Sequence, residues 1–464
     1  MSTAVWRGGQ DTYEDEQEKK VILGALSSFY QYSKVAHYNT THLRRQSFYA
    51  LPKKHWELLA KPPFSYLDTL NEVDLAIDKN AEIAQAILKA GLESFGLSDP
   101  SLIVTKDGSD WRTSATTNDL EKARSTLRQL FRDWSEEGIV ERNAAHRPVH
   151  TALQKERSLR SLRSDEKMNV LVPGAGLGRL VFDLCIDGFN AEGNEISYHQ
   201  LLASSYILNY SVGSRIHTLY PWVHSFSNHK SRKNHLKSVL IPDVSTGDLM
   251  THTKKSGDMS MSASDFLLLY GSKKQQDRFD AVATVFFLDT APNLIRYIDT
   301  VRNCLKTGGL FINVGPLLWH FEGNAPGSHG RDQEEREKGV ASERDTGKEK
   351  EQENENGKET EKDKGKGKEV DKGKGKEVDK GKGKEVDNGK GKEREQEKDP
   401  KPITWGIADP GSVELTDDEV VALVEELGFS IEKRVFGIQA PYIQDSNSML
   451  QNTYRASHWV ARKK

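Results

Sequence analysis

Residues 169–180 read NVLVPGAGLGRL. A short apolar run is followed by three closely spaced glycines, Gly174, Gly176 and Gly178, and then by the apolar helical pattern LGRLVFDLCIDGF. Strand, bare turn and helix in that order make the opening unit of a doubly wound α/β sheet. Glycines at such a turn let the backbone pass close to a nucleotide-like ligand.

The surrounding chain repeats the alternation. NAEGNEIS (190–197) reads as a second short strand and YHQLLASSYILNYS as a helix. A third strand is expected just before STGDLM (245–250). FDAVATVFFLD (279–289) is a strand of the fully buried kind. NLIRYIDTVRNCLKTGG is an amphipathic helix with a glycine stop, and LFINVGPLLW is another strand. Strands alternating with helices predict a mostly parallel sheet covered on both faces. Upstream, residues 19–165 carry apolar residues three and four apart and predict an all-helical region, preceded by a disordered polar tail at 1–18. Downstream, ELTDDEVVALVEELGF predicts a helix with Thr416 as N-cap and Gly428 at its end. FSIEKRVFGI and RASHWVARK then read as two closing strands.

Residues 323–402 break this rhythm. They contain KGKGKEVDKGKGKEVDKGKGKEVDNGKGKE, almost without apolar residues and with lysines and acids nearly balanced. Such a segment cannot offset its ordering entropy, so it is expected to be a disordered insertion. It would interrupt one domain, whose first part is 166–322 and whose C-terminal part is 403–464.

Composition narrows the function. A net charge of −3 over 464 residues gives no basic excess for nucleic acid. Cys185 and Cys304 are the only cysteines and sit in no metal-like spacing, so free thiols and no bound metal are expected. No apolar run approaches the ~20 residues of a membrane helix. A soluble cytoplasmic protein is expected, with the nucleus left open.

Two ligands suit the glycine turn. A dinucleotide pyrophosphate wants G-x-G-x-x-G/A, the last small residue allowing close helix–strand packing. Here Arg179 stands at that place and the spacing is G-x-G-x-G, which fits S-adenosylmethionine better. Glu195, about 20 residues further on, could accept both ribose hydroxyls, or be a solvated turn. Asp248 could take the adenine amino group, or cap a helix. Asp289 ends a central strand, where ligands of open sheets bind, or caps the helix after Pro292.

PGAGLGRL, GNEISYHQL, YPWVHSFSN, FFLDTAPNLIRYIDTV, GPLLWHFE and RDWSEEG (132–138) together resemble the carnosine N-methyltransferase (N2227-like) family. That family is class I S-adenosylmethionine-dependent, with a helical N-terminal extension, and makes anserine from carnosine (β-alanyl-histidine). The resemblance implies cofactor contacts from Gln129, Arg132, Gly174, Gly176, Glu195 and Asp248. It implies substrate contacts from Asp289, His320 and Tyr454. Arg132 suits the methionine carboxylate, against a surface ion pair with Glu136. YPWVHSFSN has no chemical role legible from spacing. A histidine within another peptide or a protein is the alternative substrate; a non-catalytic scaffold and an oxidoreductase are the rival classes. The helical extension could also serve a homodimer.

Overall fold

NVLVP forms β1 (Asn169–Pro173), buried along nearly its whole length near the middle of a seven-stranded sheet. The computed structural model describes residues 16–97, 108, 110–160, 166–323, 407 and 411–464. The expected tail before residue 16 and nearly all of the Lys/Glu/Gly insertion lie outside them. The other strands are β2 (Asn190–Glu195), β3 (His217–Leu219), β4 (Val239–Ile241), β5 (Met259–Ala263), β6 (Phe279–Val285), β7 (Leu305–Gly315), β8 (Phe429–Pro441) and β9 (Thr453–Lys463). The sheet runs β5-β2-β1-β6-β7-β9-β8. Pairs from β5 to β7 are parallel, and only β9 is reversed, antiparallel to both β7 and β8. A dinucleotide-binding sheet runs 3-2-1-4-5-6. Here a reversed last strand slips between its fifth and sixth, which is the class I methyltransferase arrangement. The chain leaves β1 for β2 on one side while β6 pairs on the other. The resulting crevice lies at the carboxyl ends of β1 and β6.

The helices before the sheet are α1 (Glu16–His37), α2 (Leu43–Tyr49), α3 (Lys53–Leu59), α4 (Tyr66–Ser94), α5 (Thr117–Trp134) and α6 (Ile139–Leu159). Those within and after it are α7 (Arg179–Ile186), α8 (Tyr198–Ser205), α9 (Arg232–His235), α10 (Thr246–His252), α11 (Phe266–Tyr270), α12 (Leu294–Cys304) and α13 (Asp417–Glu426). The N-terminal helices share a core with the sheet domain. Leu26 and Phe29 of α1, Ile87 of α4 and Leu130 of α5 belong to one apolar cluster with Leu201 and Leu202 of α8. Burying their apolar stripe on α8 fixes α5 over the glycine turn. The Thr116/Asp119 capping box sets where α5 begins.

Three expectations change. Helix α1 starts at Glu16, so residues 16–18 are not tail. Helix α12 stops at Cys304, before the glycines. Leu305 is already extended and buried, and pairs with Phe279. Gly308 and Gly309 instead serve a register shift between β6 and β7; a Cβ at Gly309 would crowd the Lys306 carbonyl at 2.8 Å. The strand before STGDLM is β4, which pairs antiparallel with β3 in a separate ribbon. The third strand of the main sheet is β5, MSMSA, paired parallel with β2.

At the C-terminus Thr416 and Glu419 form a capping box and Gly428 takes the left-handed conformation at φ 93°. Both closing strands form, but β8 runs on to Pro441 and β9 begins at Thr453, so Tyr454 lies in the last strand; β9 is what β7 needs to complete its edge.

Candidate active site

A cavity of about 410 Å³ opens at the crevice and is lined by the glycine turn, Gln129, Arg132, Glu195, Phe286 and His320, among others. That is the size of a small-ligand pocket. Gly174 and Gly176 have φ of 67° and 57°, a region that costs other residues strain. A Cβ at Gly174 would also fall 2.5 Å from the Phe287 ring. The turn is therefore bare for two reasons, conformation and proximity.

Glu195 ends β2 and is buried. Its Oε2 accepts from Gly176 N at 2.8 Å, and its Oε1 accepts from Ile196 N and Ser197 N at 2.9 Å. Burial raises its pKa against the lowering influence of those three amides. The carboxylate is thus tied to the glycine loop, and one lone pair, on Oε2, remains for a ligand hydroxyl. Gln129 lies on the same wall, its Oε1 accepting from Gln200 Nε2 at 2.9 Å. Arg132 donates Nε and Nη2 to the two Asp133 oxygens, at 2.6 and 2.9 Å. The expected alternative partner, Glu136, pairs with Arg215 instead. Asp133 uses the side edge of the guanidinium fork, and the Nη1–Nη2 edge remains for a second carboxylate.

Asp248 does not reach this cavity. It is exposed on α10, because the strand expected before it lies in the outer ribbon. The acid that follows the third strand of the sheet is Asp265. It lines the cavity with Ser264 and Phe266. Its Oδ1 caps α11 through Leu267 N at 2.8 Å, and its Oδ2 accepts from Ile407 N at 2.9 Å.

The strand read through Asp289 stops at Val285, and the chain then makes a short 3-10 turn, Leu288–Thr290, that holds Asp289 beside the cavity-lining Thr290. Asp289 is buried; its Oδ2 accepts from Leu318 N at 2.9 Å and its carbonyl from His320 N at 3.1 Å. It does not cap the next helix, whose N-cap is Asn293. Burial raises the Asp289 pKa, opposed by the Leu318 amide and by His320. His320 is exposed at the cavity mouth. Tyr454 meets Phe286 edge-on at 5.9 Å and Tyr442 at 5.8 Å. Phe286 has φ 52°, a strained conformation for an aromatic residue, held where the cavity needs a wall.

Sequence reasoning missed His146 and Glu141. Both face the cavity from α6. Burial drives His146 down to about 3, and its Nδ1 has no partner among the described residues. Glu141 accepts from Ile443 N and is raised by burial. Both sit in a helix pattern that carries no distinguishing signal. The YPWVHSFSN segment lies elsewhere. Tyr220 exchanges two hydrogen bonds with Asn80 of α4, and His224 meets the Tyr32 hydroxyl at 2.7 Å. It fastens a loop to the N-terminal helices.

A carnosine N-methyltransferase family model matches residues 109–464. The chain belongs to that family. The chain is 37% identical over 323 residues to the carnosine N-methyltransferase of Schizosaccharomyces pombe, covering 69% of this chain and 83% of that one. It is 36% identical over 314 residues to the Mus musculus protein of the same name, covering 67% and 74%. Among solved structures it is similar to a magnesium protoporphyrin IX methyltransferase from Synechocystis with bound SAH. That likeness has 10% identity and a TM-score of 0.32, over 73% of this chain and 94% of that one. The fold assignment rests on strand order. As a family member the chain is an S-adenosylmethionine-dependent methyltransferase. Among the described residues the cavity fits that cofactor: a hydroxyl acceptor in Glu195, a guanidinium edge of Arg132 not taken by Asp133, a His146 Nδ1 without a partner and apolar Phe266 and Phe287. Arg179, where a dinucleotide site wants a small residue, turns under the loop toward Asp243 at 2.6 Å.

Proposed function

We propose that this chain methylates the imidazole ring of carnosine, giving anserine, by in-line transfer to a neutral ring nitrogen. The observation that supports it most is Asp289, a buried carboxylate in the turn just past β6, next to His320 and within electrostatic reach of Tyr454. The bound cofactor supplies a methyl group on a sulfonium centre. The protein supplies position and charge.

An imidazole with a pKa near ~6.5 is mostly neutral at pH 7.5, so no strong base is needed before attack. What matters is which nitrogen carries the proton. Asp289 accepts that N–H and turns the other nitrogen toward the methyl group. Its charge then stabilises the imidazolium that forms, as a buried carboxylate does for a catalytic histidine. Tyr454, whose hydroxyl burial and neighbouring Tyr442 and Asp289 keep protonated, donates toward the acceptor. Glu195 and Arg132 fix the two ends of the cofactor, and Phe286 and Tyr442 wall the ring.

Purified protein with methyl-labelled S-adenosylmethionine and carnosine should yield labelled anserine by mass spectrometry. Asp289→Asn should lower kcat on the order of 10²-fold, the usual cost of losing one electrostatic stabiliser. Near-normal turnover at unchanged carnosine KM would overturn the role of Asp289. Labelling of histidine peptides without labelled anserine would overturn the substrate.

A further inference from the structure

The RDWSEEG segment ends α5 and turns toward α6, and it is held by contacts to the glycine loop, to α6 and to Asp243. The Asp133 carbonyl accepts from Arg179 Nη1 at 2.9 Å. Trp134, fully buried, donates Nε1 to the Leu177 carbonyl at 3.0 Å, inside the glycine loop itself. Its own carbonyl accepts from Asp243 N at 2.8 Å. The Ser135 carbonyl accepts from Arg142 Nη1 at 2.5 Å. Gly138 closes the turn where a Cβ would fall on the Phe131 carbonyl.

One carboxylate gathers these contacts. Asp243 Oδ2 accepts from Arg142 Nη2 and its Oδ1 from Arg179 Nη1, both at 2.6 Å. All three side chains are at most 9% exposed. Two buried guanidinium groups, one gripping the turn from α6 and one from the glycine-loop helix α7, therefore share one anion. Without its charge Arg142 keeps no carboxylate ion pair among the described residues, and Arg179 keeps only Asp183, whose Oδ1 accepts from its Nε at 2.8 Å; a buried guanidinium left unpaired is expensive. The turn between them is then free to move. Arg132 and its partner Asp133 are the residues of that segment that line the cavity, so the cofactor's amino-acid end would feel the change. On this reading the nucleoside end is held by Glu195 after β2 and Asp265 after β5; neither bonds to Asp243, Arg142 or Arg179, and Glu195 keeps its Ile196 and Ser197 amides whatever the glycine loop does.

We propose that Asp243 is a positioning residue that sets affinity for the amino-acid end of the cofactor, by locking the RDWSEEG turn to the glycine loop. This rests on the reading of Arg132 as the carboxylate partner. The test is calorimetric binding of S-adenosylhomocysteine and of 5′-methylthioadenosine, which lacks the amino-acid end. The proteins are wild type, Asp243→Asn, Arg142→Lys and Arg132→Ala. Arg132→Ala and Asp243→Asn should each weaken S-adenosylhomocysteine roughly tenfold to a hundredfold, the worth of one charged hydrogen bond, and leave methylthioadenosine within about twofold. If Arg132→Ala shows no selective loss, the Arg132 reading fails and this inference with it. If Arg132→Ala is selective but Asp243→Asn is not, whether it weakens both ligands alike or neither, the inference alone fails. Should Asp243→Asn not fold, Arg142→Lys decides by the same criteria, since it keeps the charge but loses the fork that spans Ser135 and Asp243.

Discussion

Glu195→Gln is the substitution whose cost can be worked most directly. The carboxylate accepts three amide hydrogens, Gly176 on one oxygen and Ile196 and Ser197 on the other. A glutamine is the same size but has one accepting oxygen. If that oxygen stays with Ile196 and Ser197, the new NH₂ points at the Gly176 N–H and two donors face each other. One hydrogen bond to a charged acceptor is worth ~1.5–3 kcal/mol, and the ribose loses a charged partner as well. At ~1.4 kcal/mol per factor of ten, S-adenosylhomocysteine affinity should fall roughly tenfold to a hundredfold. Titration calorimetry measures this, with a thermal melt of the free protein as the folding control. The pH dependence gives a second reading. Burial raises the Glu195 pKa, so cofactor affinity should decline as pH falls through that raised value, and the glutamine variant should lack this titration. The free protein behaves oppositely. A carboxyl raised on folding contributes stability that is fully present below its unfolded pKa and is lost as pH rises through the folded one. Binding by Glu195→Gln within about threefold of wild type, with the wild-type pH profile retained, would refute the role assigned to this side chain.

The two candidate adenine acids separate cleanly. Asp265→Asn keeps an oxygen to cap α11 but removes charge from the cavity, and should weaken S-adenosylhomocysteine about tenfold. Asp248→Asn, on an exposed helix face, should bind like wild type in the same titration; the reverse result would return Asp248 to the site. Gly174→Ala meets both a left-handed backbone at φ 67° and the Phe287 ring. The conformation alone should cost ~1–3 kcal/mol, read as a lowered melting temperature together with lost cofactor binding.

The sequence by itself determined a good deal. Apolar runs and glycine punctuation marked β1, α7, β2, β6, α13 and the two closing strands, because central parallel strands must be apolar on both faces and helix ends need caps. The bare loop and Glu195 were legible because each stands at a strand end, and Asp289 because it lies in the turn just past one, where ligands of such sheets bind. The tertiary structure decided what depends on which strand neighbours which. MSMSA alternates polar and apolar residues as an edge strand does and lacks a long apolar run, so the apolar VLI before it read as the better strand. Pairing placed MSMSA beside β2, so the acid that follows the third strand and lines the cavity is Asp265 and not Asp248. The burial of His146 and the convergence of Arg142, Arg179 and Asp243 depend on residues that lie far apart in the chain, and even the pairing of the neighbours Arg132 and Asp133 is a matter of side-chain direction in a packed site. Periodicity reports which face of an element is apolar. It carries no information about which buried charges will meet, because that is set by the packing of elements that local sequence does not encode.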